Sequence, residues 1–529
     1  MAPGRPHPMS RRDFLIRLGQ YAGTGMMLNA MASLGMGIAS AQEIPPPLGP
    51  GNGKSVLILG AGLAGLCAAY ELSRAGYNCT VLEARGFAGG RCQTARRGTV
   101  MEEVTGAHSV CEFDEGQYFN HGPWRIPYHH LSTLHYTKVL NVPLELMLND
   151  NEQAYIYSER GTGALRGKAV RRQEVAADMR GYEAEILAKS IHQLELDSPL
   201  NEEDLERFVD YLVAHGALST ADRRYLGTRG RGYDVPRGGL LNAGSASTPH
   251  SMADLLDAGL WQTIRSVASF DQPKTMFQPV GGMDRIASAF EREIGHLVTY
   301  NAEISRITQN QQQVTIRFRN PDTNETQETS ADFCVCTLPL FVLKNIESDF
   351  PDAFRTAMNA ASAVTSCKLG LQMNSRFWEE KDRIYGGHSR VITELENVQI
   401  SYPSHGFQGS KGIVQGIYNF GTDAVRYSVR SLDDRLEHAL QMGEKIHPDY
   451  RSACETSFGV AWHLVKYSMG AYASWSQEAY NNEYRLLCEP SGRVFLCGDH
   501  MSYLPGWMAG AFDSTWQQLA RLHEMAQNA

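Results

Sequence analysis

From residue 54 onward, short apolar runs alternate with helical periods. Ser55-Val56-Leu57-Ile58-Leu59 is a compact β-rich run of the kind buried on both faces of a parallel sheet. A glycine turn follows at once. A helical period over 63–75 then stops at Gly76, and a second short strand, Cys79-Thr80-Val81-Leu82, ends at Glu83. Strand, turn, helix and strand in that order predict a βαβ unit. Between about 155 and 265 helical periods dominate, as in Leu205, Phe208, Val209 and Leu212 behind the acidic first turn Glu202-Glu203-Asp204. Strand character returns over 298–318 and 333–338, and residues 345–450 mix strands with amphipathic helices. A last strand, Arg493-Val494-Phe495-Leu496-Cys497, meets Gly498-Asp499 before a closing helix.

Composition narrows the class. A chain of 529 residues, 43% apolar and 20% charged, is too long for a small binding module and too apolar for a disordered one. At roughly 150 residues per domain it holds two or three packed domains. The net charge of -9, without any block of basic residues interleaved with aromatics, excludes electrostatic capture of nucleic acid.

The first residues tell a separate story. Ser10-Arg11-Arg12-Asp13-Phe14-Leu15-Ile16, a weakly apolar stretch broken by glycines, and Ala39-Ser40-Ala41 together read as a twin-arginine export signal over 1–41, cleaved after Ala41. The expected partner is the twin-arginine translocation machinery, and the expected location periplasmic or secreted. Cleavage leaves 45 basic against 57 acidic residues, a soluble acidic product of net charge -12. The proline-rich segment 42–53 is a stiff linker. The ten cysteines contain no CxxC pair and are read as buried thiols, with neither disulfides nor a metal site.

Gly60-Ala61-Gly62-Leu63-Ala64-Gly65 stands between the first strand and helix, where one glycine makes the turn, one admits a pyrophosphate and one lets helix pack on strand. The helix N-terminus offers its N–H groups to phosphate. Glu83 is placed to accept hydrogen bonds from an adenosine ribose. These elements predict dinucleotide binding and leave NAD or FAD open.

The following segment, Ala84-Arg85-Gly86-Phe87-Ala88-Gly89-Gly90-Arg91, resembles the diglycine-arginine segment of flavin amine oxidases. Near the other end, Gly498-Asp499-His500 and Leu504-Pro505-Gly506-Trp507-Met508-Ala509-Gly510-Ala511 resemble that family's second flavin segment, with Asp499 replacing the more usual glutamate. The resemblance covers nearly the whole chain after the signal and implies FAD. It would be held by Gly60, Gly62, Ala64, Gly65, Glu83, Ala84, Arg85, Gly90, Arg91, Pro123, Trp124, Arg125, Ile304, Gly498, Asp499, Trp507, Met508 and Ala511. Arg91 would pair with pyrophosphate, and a helix starting near Gly506 would aim its positive end at the flavin.

Inside that superfamily the sequence most resembles the L-amino acid oxidases. In Gly122-Pro123-Trp124-Arg125-Ile126-Pro127 the arginine would grip a substrate carboxylate. In Tyr402-Pro403-Ser404-His405 the tyrosine would support it. Gly506 and Trp507 would form the site wall, the glycine carbonyl receiving the substrate ammonium. Lys368 resembles the strand lysine that holds water near the flavin, where a cation would assist oxygen reduction, and is the catalytic candidate. His108, His121, His129 and His130 are read as structural.

The expected fold is α/β: a Rossmann-like FAD domain from 54–125, 266–344 and 456–529, a mixed-sheet substrate domain from 126–154 and 345–455, and a helical insertion over 155–265. The expected activity is oxidative deamination of an L-amino acid by oxygen, giving 2-oxo acid, ammonia and hydrogen peroxide. A primary amine or polyamine oxidase, a dehydrogenase passing electrons to a respiratory acceptor, and a silent flavoprotein are the alternatives. The family resemblance favours a homodimer.

Overall fold

The computed structural model describes residues 44–191, 201–265 and 270–528. The expected export signal therefore lies outside the described residues. Two sheets organise the rest.

The first sheet has five parallel strands in the order Val298–Thr299, Asn78–Leu82, Ser55–Leu59, Phe333–Cys336 and Val494–Leu496. Alternation along the central strand explains its unbroken apolar run. Val56 and Ile58 face a layer formed by the helices Leu63–Arg74, Arg285–Ile294 and Met508–Asn528, whereas Leu57 and Leu59 face Ile307, Ile316, Phe341 and Phe354 on the other side. Both faces are buried, so no polar position can be tolerated on either.

The second sheet has seven strands in the order Cys454–Ala461, Ser366–Met373, Gly412–Phe420, Asn397–Ser401, His388–Ile392, Tyr155–Ser158 and Ala169–Arg171. It is antiparallel except where His388–Ile392 meets Tyr155–Ser158. One face carries Cys367, Leu371, Val391, Val398, Ile400 and Val414 in a continuous core. The opposite face carries Lys368, Tyr418, Gln415, Ser401, Gln399 and Arg390, matched across neighbouring strands by the pairings Lys368↔Tyr418, Ser401↔Gln415 and Arg390↔Gln399. A row of polar side chains on one face of a buried sheet marks the side on which the site is built.

Two expected boundaries shift. The segment 155–265 opens with the strands Tyr155–Ser158 and Ala169–Arg171, which complete the second sheet, and its helices begin only at Arg172–Ser190. Four residues alternating inward and outward are too few to show a period in sequence. The division at 455/456 likewise falls inside the strand Cys454–Ala461, whose ladder with Ser366–Met373 is a tertiary choice. All ten cysteines are free, eight of them buried.

Candidate active site

A cavity of about 440 Å³ runs from the C-terminal end of the parallel sheet to the polar face of the second sheet. At its first end the helix Leu63–Arg74 begins at Gly62, which has no side-chain cap, so its leading N–H groups are free for an anion. Gly60 has φ +95°, which a side chain would strain. A Cβ on Gly65 would stand 1.9 Å from the Gly60 carbonyl oxygen, while one on Gly62 would meet nothing within 4 Å and would project into the cavity. Buried Glu83 accepts the Ala61 N–H at 2.8 Å and the Arg85 N–H at 2.9 Å. Two backbone bonds hold its carboxylate at the sheet edge, and each oxygen keeps a lone pair for a ribose hydroxyl. The empty space at Gly62, the uncapped helix and this carboxylate fit the adenosine and pyrophosphate of FAD.

Arg91 does not stand free. Its guanidinium grips buried Asp499 and donates to the Ala471 carbonyl. Asp499 also accepts the Gly506 N–H at 3.0 Å. Burial raises its carboxyl, but Arg91, His500 and the Gly506 N–H together hold it below the ordinary aspartate value. Asp499 thus ties the diglycine-arginine segment to the turn at Gly506, whose φ of +79° sets Trp507 at the head of the helix Met508–Asn528.

The far end is cationic and aromatic. Lys368 is buried, with Nζ donating to the Gly122 carbonyl at 2.5 Å and the Asn120 carbonyl at 3.3 Å, 4.5 Å from the centre of the Tyr418 ring. Burial and then Arg125 push its ammonium well below the ordinary lysine value. Arg125 lies 5.1 Å from the Trp124 ring and 6.0 Å from Trp507. Burial lowers its basicity, and among the described residues no carboxylate pairs with it.

Of the residues expected at the site, all line the cavity except Gly65, Trp124, Arg125 and Tyr402. Gly65 packs helix on strand, and Arg125 and Trp124 pack against the cavity-lining Trp507 and Tyr418 respectively. Tyr402 departs from the expectation. It is 1% exposed, and its hydroxyl bonds to Ser389 Oγ at 2.8 Å and His447 Nε2 at 2.7 Å on the core side of the sheet. The strand reverses face at each residue, so Ser401 occupies the polar face and Tyr402 the core. His121 stacks on Trp462, and His130 sets its ring edge on Trp507 at 4.8 Å. Sequence reasoning missed the aromatic wall of Tyr418, Phe420, Trp462 and Tyr472. The alternation Tyr418-Asn419-Phe420 was visible, but which face met the cavity was not.

The sequence profile of the family described as "Flavin containing amine oxidoreductase" matches residues 63–518. An L-amino-acid oxidase from Vipera ammodytes ammodytes is 27% identical over 484 residues, covering 88% of this chain and 91% of that protein. One from Protobothrops flavoviridis is 26% identical over 485 residues, covering 88% and 87%. Among solved structures, the cyclohexylamine oxidase from Brevibacterium oxydans IH-35A superimposes with a TM-score of 0.59 at 16% identity, covering 90% of this chain and 100% of that one. Putrescine oxidase bound to putrescine does so at 0.58 and 18%, covering 89% and 98%.

Proposed function

This chain belongs to the flavin-containing amine oxidoreductases, and from that premise we propose that it is an exported oxidase of L-amino acids, releasing 2-oxo acid, ammonia and hydrogen peroxide. Its cofactor is FAD. The export half of the reading rests on Ser10-Arg11-Arg12-Asp13-Phe14-Leu15-Ile16.

The observation that carries the substrate half is Arg125, a guanidinium between two tryptophans with no carboxylate bonded to it among the described residues. An unpaired cation in a dry setting is unfavourable. A substrate α-carboxylate supplies the missing charge and takes two parallel hydrogen bonds from the planar fork. A simple amine has no group to do this.

When bound, FAD supplies the two-electron acceptor for the Cα–H bond of the substrate. The chain's own residues bind and orient. Gly62 and the helix behind it take the pyrophosphate, with Arg91 neutralised by Asp499 at its edge. Glu83 accepts from the ribose, while Ala64, Ala84, Arg85, Gly90, Pro123, Ile304, Gly498, Met508 and Ala511 complete the walls of the cofactor's cavity. Arg125 fixes the carboxylate, the Gly506 carbonyl receives the substrate nitrogen, and Trp507 and Tyr418 exclude water from the reacting carbon. Lys368, anchored to two carbonyls, positions a water, and burial and then Arg125 weaken its hold on a proton. Oxidation requires a neutral substrate amine, so activity falls at low pH.

The test is peroxide release under air from the purified yellow protein with the L-amino acids, their D-enantiomers and their decarboxylated amines. Turnover confined to L-amino acids is expected. Turnover of the amines alone refutes the role given to Arg125, and flavin reduction without peroxide refutes oxygen as the acceptor.

A further inference from the structure

A second cation, Arg390, also has no acid partner among the described residues. Arg390 lies on the strand His388–Ile392, on the polar face of the second sheet, opposite Gln399. The neighbours on either side of it in sequence point the other way: Ser389 bonds to Tyr402, and Val391 is in the core. The guanidinium of Arg390 has no hydrogen bond or ion pair with any described residue, and only Arg125 and Arg172 act on it electrostatically. Burial and those two like charges bring it down to about 10. Arg172 is itself paired, with Asp150 at 2.8 Å.

The groups around Arg390 are also under-used. His388, on the same face and opposite Ser401, is 8% exposed with Nδ1 unbonded. Burial, then Arg390, Arg125 and Arg172, push His388 well below the ordinary histidine value, so it is neutral. Gln415 Oε1 is buried and unbonded, although Gln415 and Gln399 both donate to Ser401 Oγ, at 3.2 and 2.9 Å. On this face Arg390 is a cation with no acid among the described residues, a ready partner for an anion.

One carboxylate carries one negative charge and cannot neutralise two arginines. Lys368 and Arg390 stand on strands three places apart in the sheet, about 14 Å at 4.8 Å per strand. Arg125 acts electrostatically on both. The α-carboxylate neutralises Arg125. Arg390 remains, farther from the reacting end, and calls for a second negative group on the same molecule. We propose that the substrate is an acidic L-amino acid, its side-chain carboxylate held by Arg390. This inference rests on the amino-acid oxidase reading above.

The experiment compares peroxide release by the holoenzyme from L-glutamate and L-aspartate with that from L-glutamine and L-leucine, in the native protein and in Arg390→Gln and Arg390→Lys. The native protein should favour an acidic substrate over glutamine at least 100-fold in kcat/KM. Arg390→Gln should lower the acidic value 100-fold or more, leave the neutral values within about threefold, and be partly rescued by Arg390→Lys. Should the variants not fold, titration of the native holoenzyme, followed by flavin absorbance, decides instead: glutarate should bind at least tenfold tighter than butyrate. Native preference for neutral side chains, equal loss on all substrates in Arg390→Gln, or equal binding of the two acids overturns the proposal while leaving the amino-acid reading intact. Turnover of decarboxylated amines and of no L-amino acid overturns both.

Discussion

Arg125→Met separates a substrate anchor from a structural charge, because the two roles predict opposite changes in stability. Methionine keeps the length and apolar stem of the side chain and removes the charge. Without substrate, Arg125 has no acid partner among the described residues, and burial lowers its basicity, so the substitution orphans no described carboxylate and removes a group unfavourably placed. Thermal stability should hold or rise. With substrate bound the ledger reverses: breaking a buried hydrogen-bonded ion pair costs about 3–5 kcal/mol. At about 1.4 kcal/mol per decade, that is a loss of roughly 100- to 3,000-fold in kcat/KM. Steady-state peroxide assays on the best L-amino acid, with the melting temperature and flavin content of the same preparation, give both numbers. A loss below tenfold with intact flavin refutes the anchor. So does a large fall in melting temperature, which would reveal a structural pair that the described residues do not contain.

The glycines of the phosphate turn should fail in different ways. Gly65→Ala places a Cβ 1.9 Å from a backbone oxygen and should lower the melting temperature sharply, whereas Gly62→Ala, with φ -69° and nothing within 4 Å, should keep a native circular dichroism spectrum and lose most of its flavin; full flavin retention in Gly62→Ala would contradict the cradle. Tyr402→Phe should lower stability by about 1–3 kcal/mol, the scale for stranding buried hydrogen-bond partners, with KM for the amino acid unchanged; a tenfold rise in KM at unchanged stability would return Tyr402 to the site. Burial pushes His121 and His130 down to about 3, and His405 and His500 down to about 4. These folded values lie below the ordinary 6.5, so their contribution is complete above pH 6.5 and is lost as the pH falls through 6.5 towards 4. Asp513, raised by burial to about 6, acts oppositely, releasing a proton on unfolding between its ordinary 3.8 and 6. These five groups together take up about three protons on unfolding near pH 5, and His388, also pushed down, adds to them; the denaturation midpoint should drop steeply from pH 7 to 5, and a flat profile would refute the burial of these rings.

The sequence by itself determined the features that depend on neighbours along the chain. The βαβ unit needs only an apolar run, a glycine turn and a helical period, and the structure places Ser55–Leu59, Leu63–Arg74 and Asn78–Leu82 within a residue of those bounds. The glycines could be read because each has a local steric reason, and Glu83 because a strand end fixes where it points. Tertiary structure decided everything set by strand partners and strand face. The strand Tyr155–Ser158 was hidden because its partner, His388–Ile392, lies more than 200 residues away. Tyr402 was assigned to the cavity and lies in the core because one residue of register reverses a side chain, and no residue beside it in sequence fixes that register. Arg390 was passed over for the same reason. An arginine is conspicuous only when its missing partner is known, and that requires the whole surround: Arg125 and Arg172, from two other parts of the chain, and no acid among the described residues.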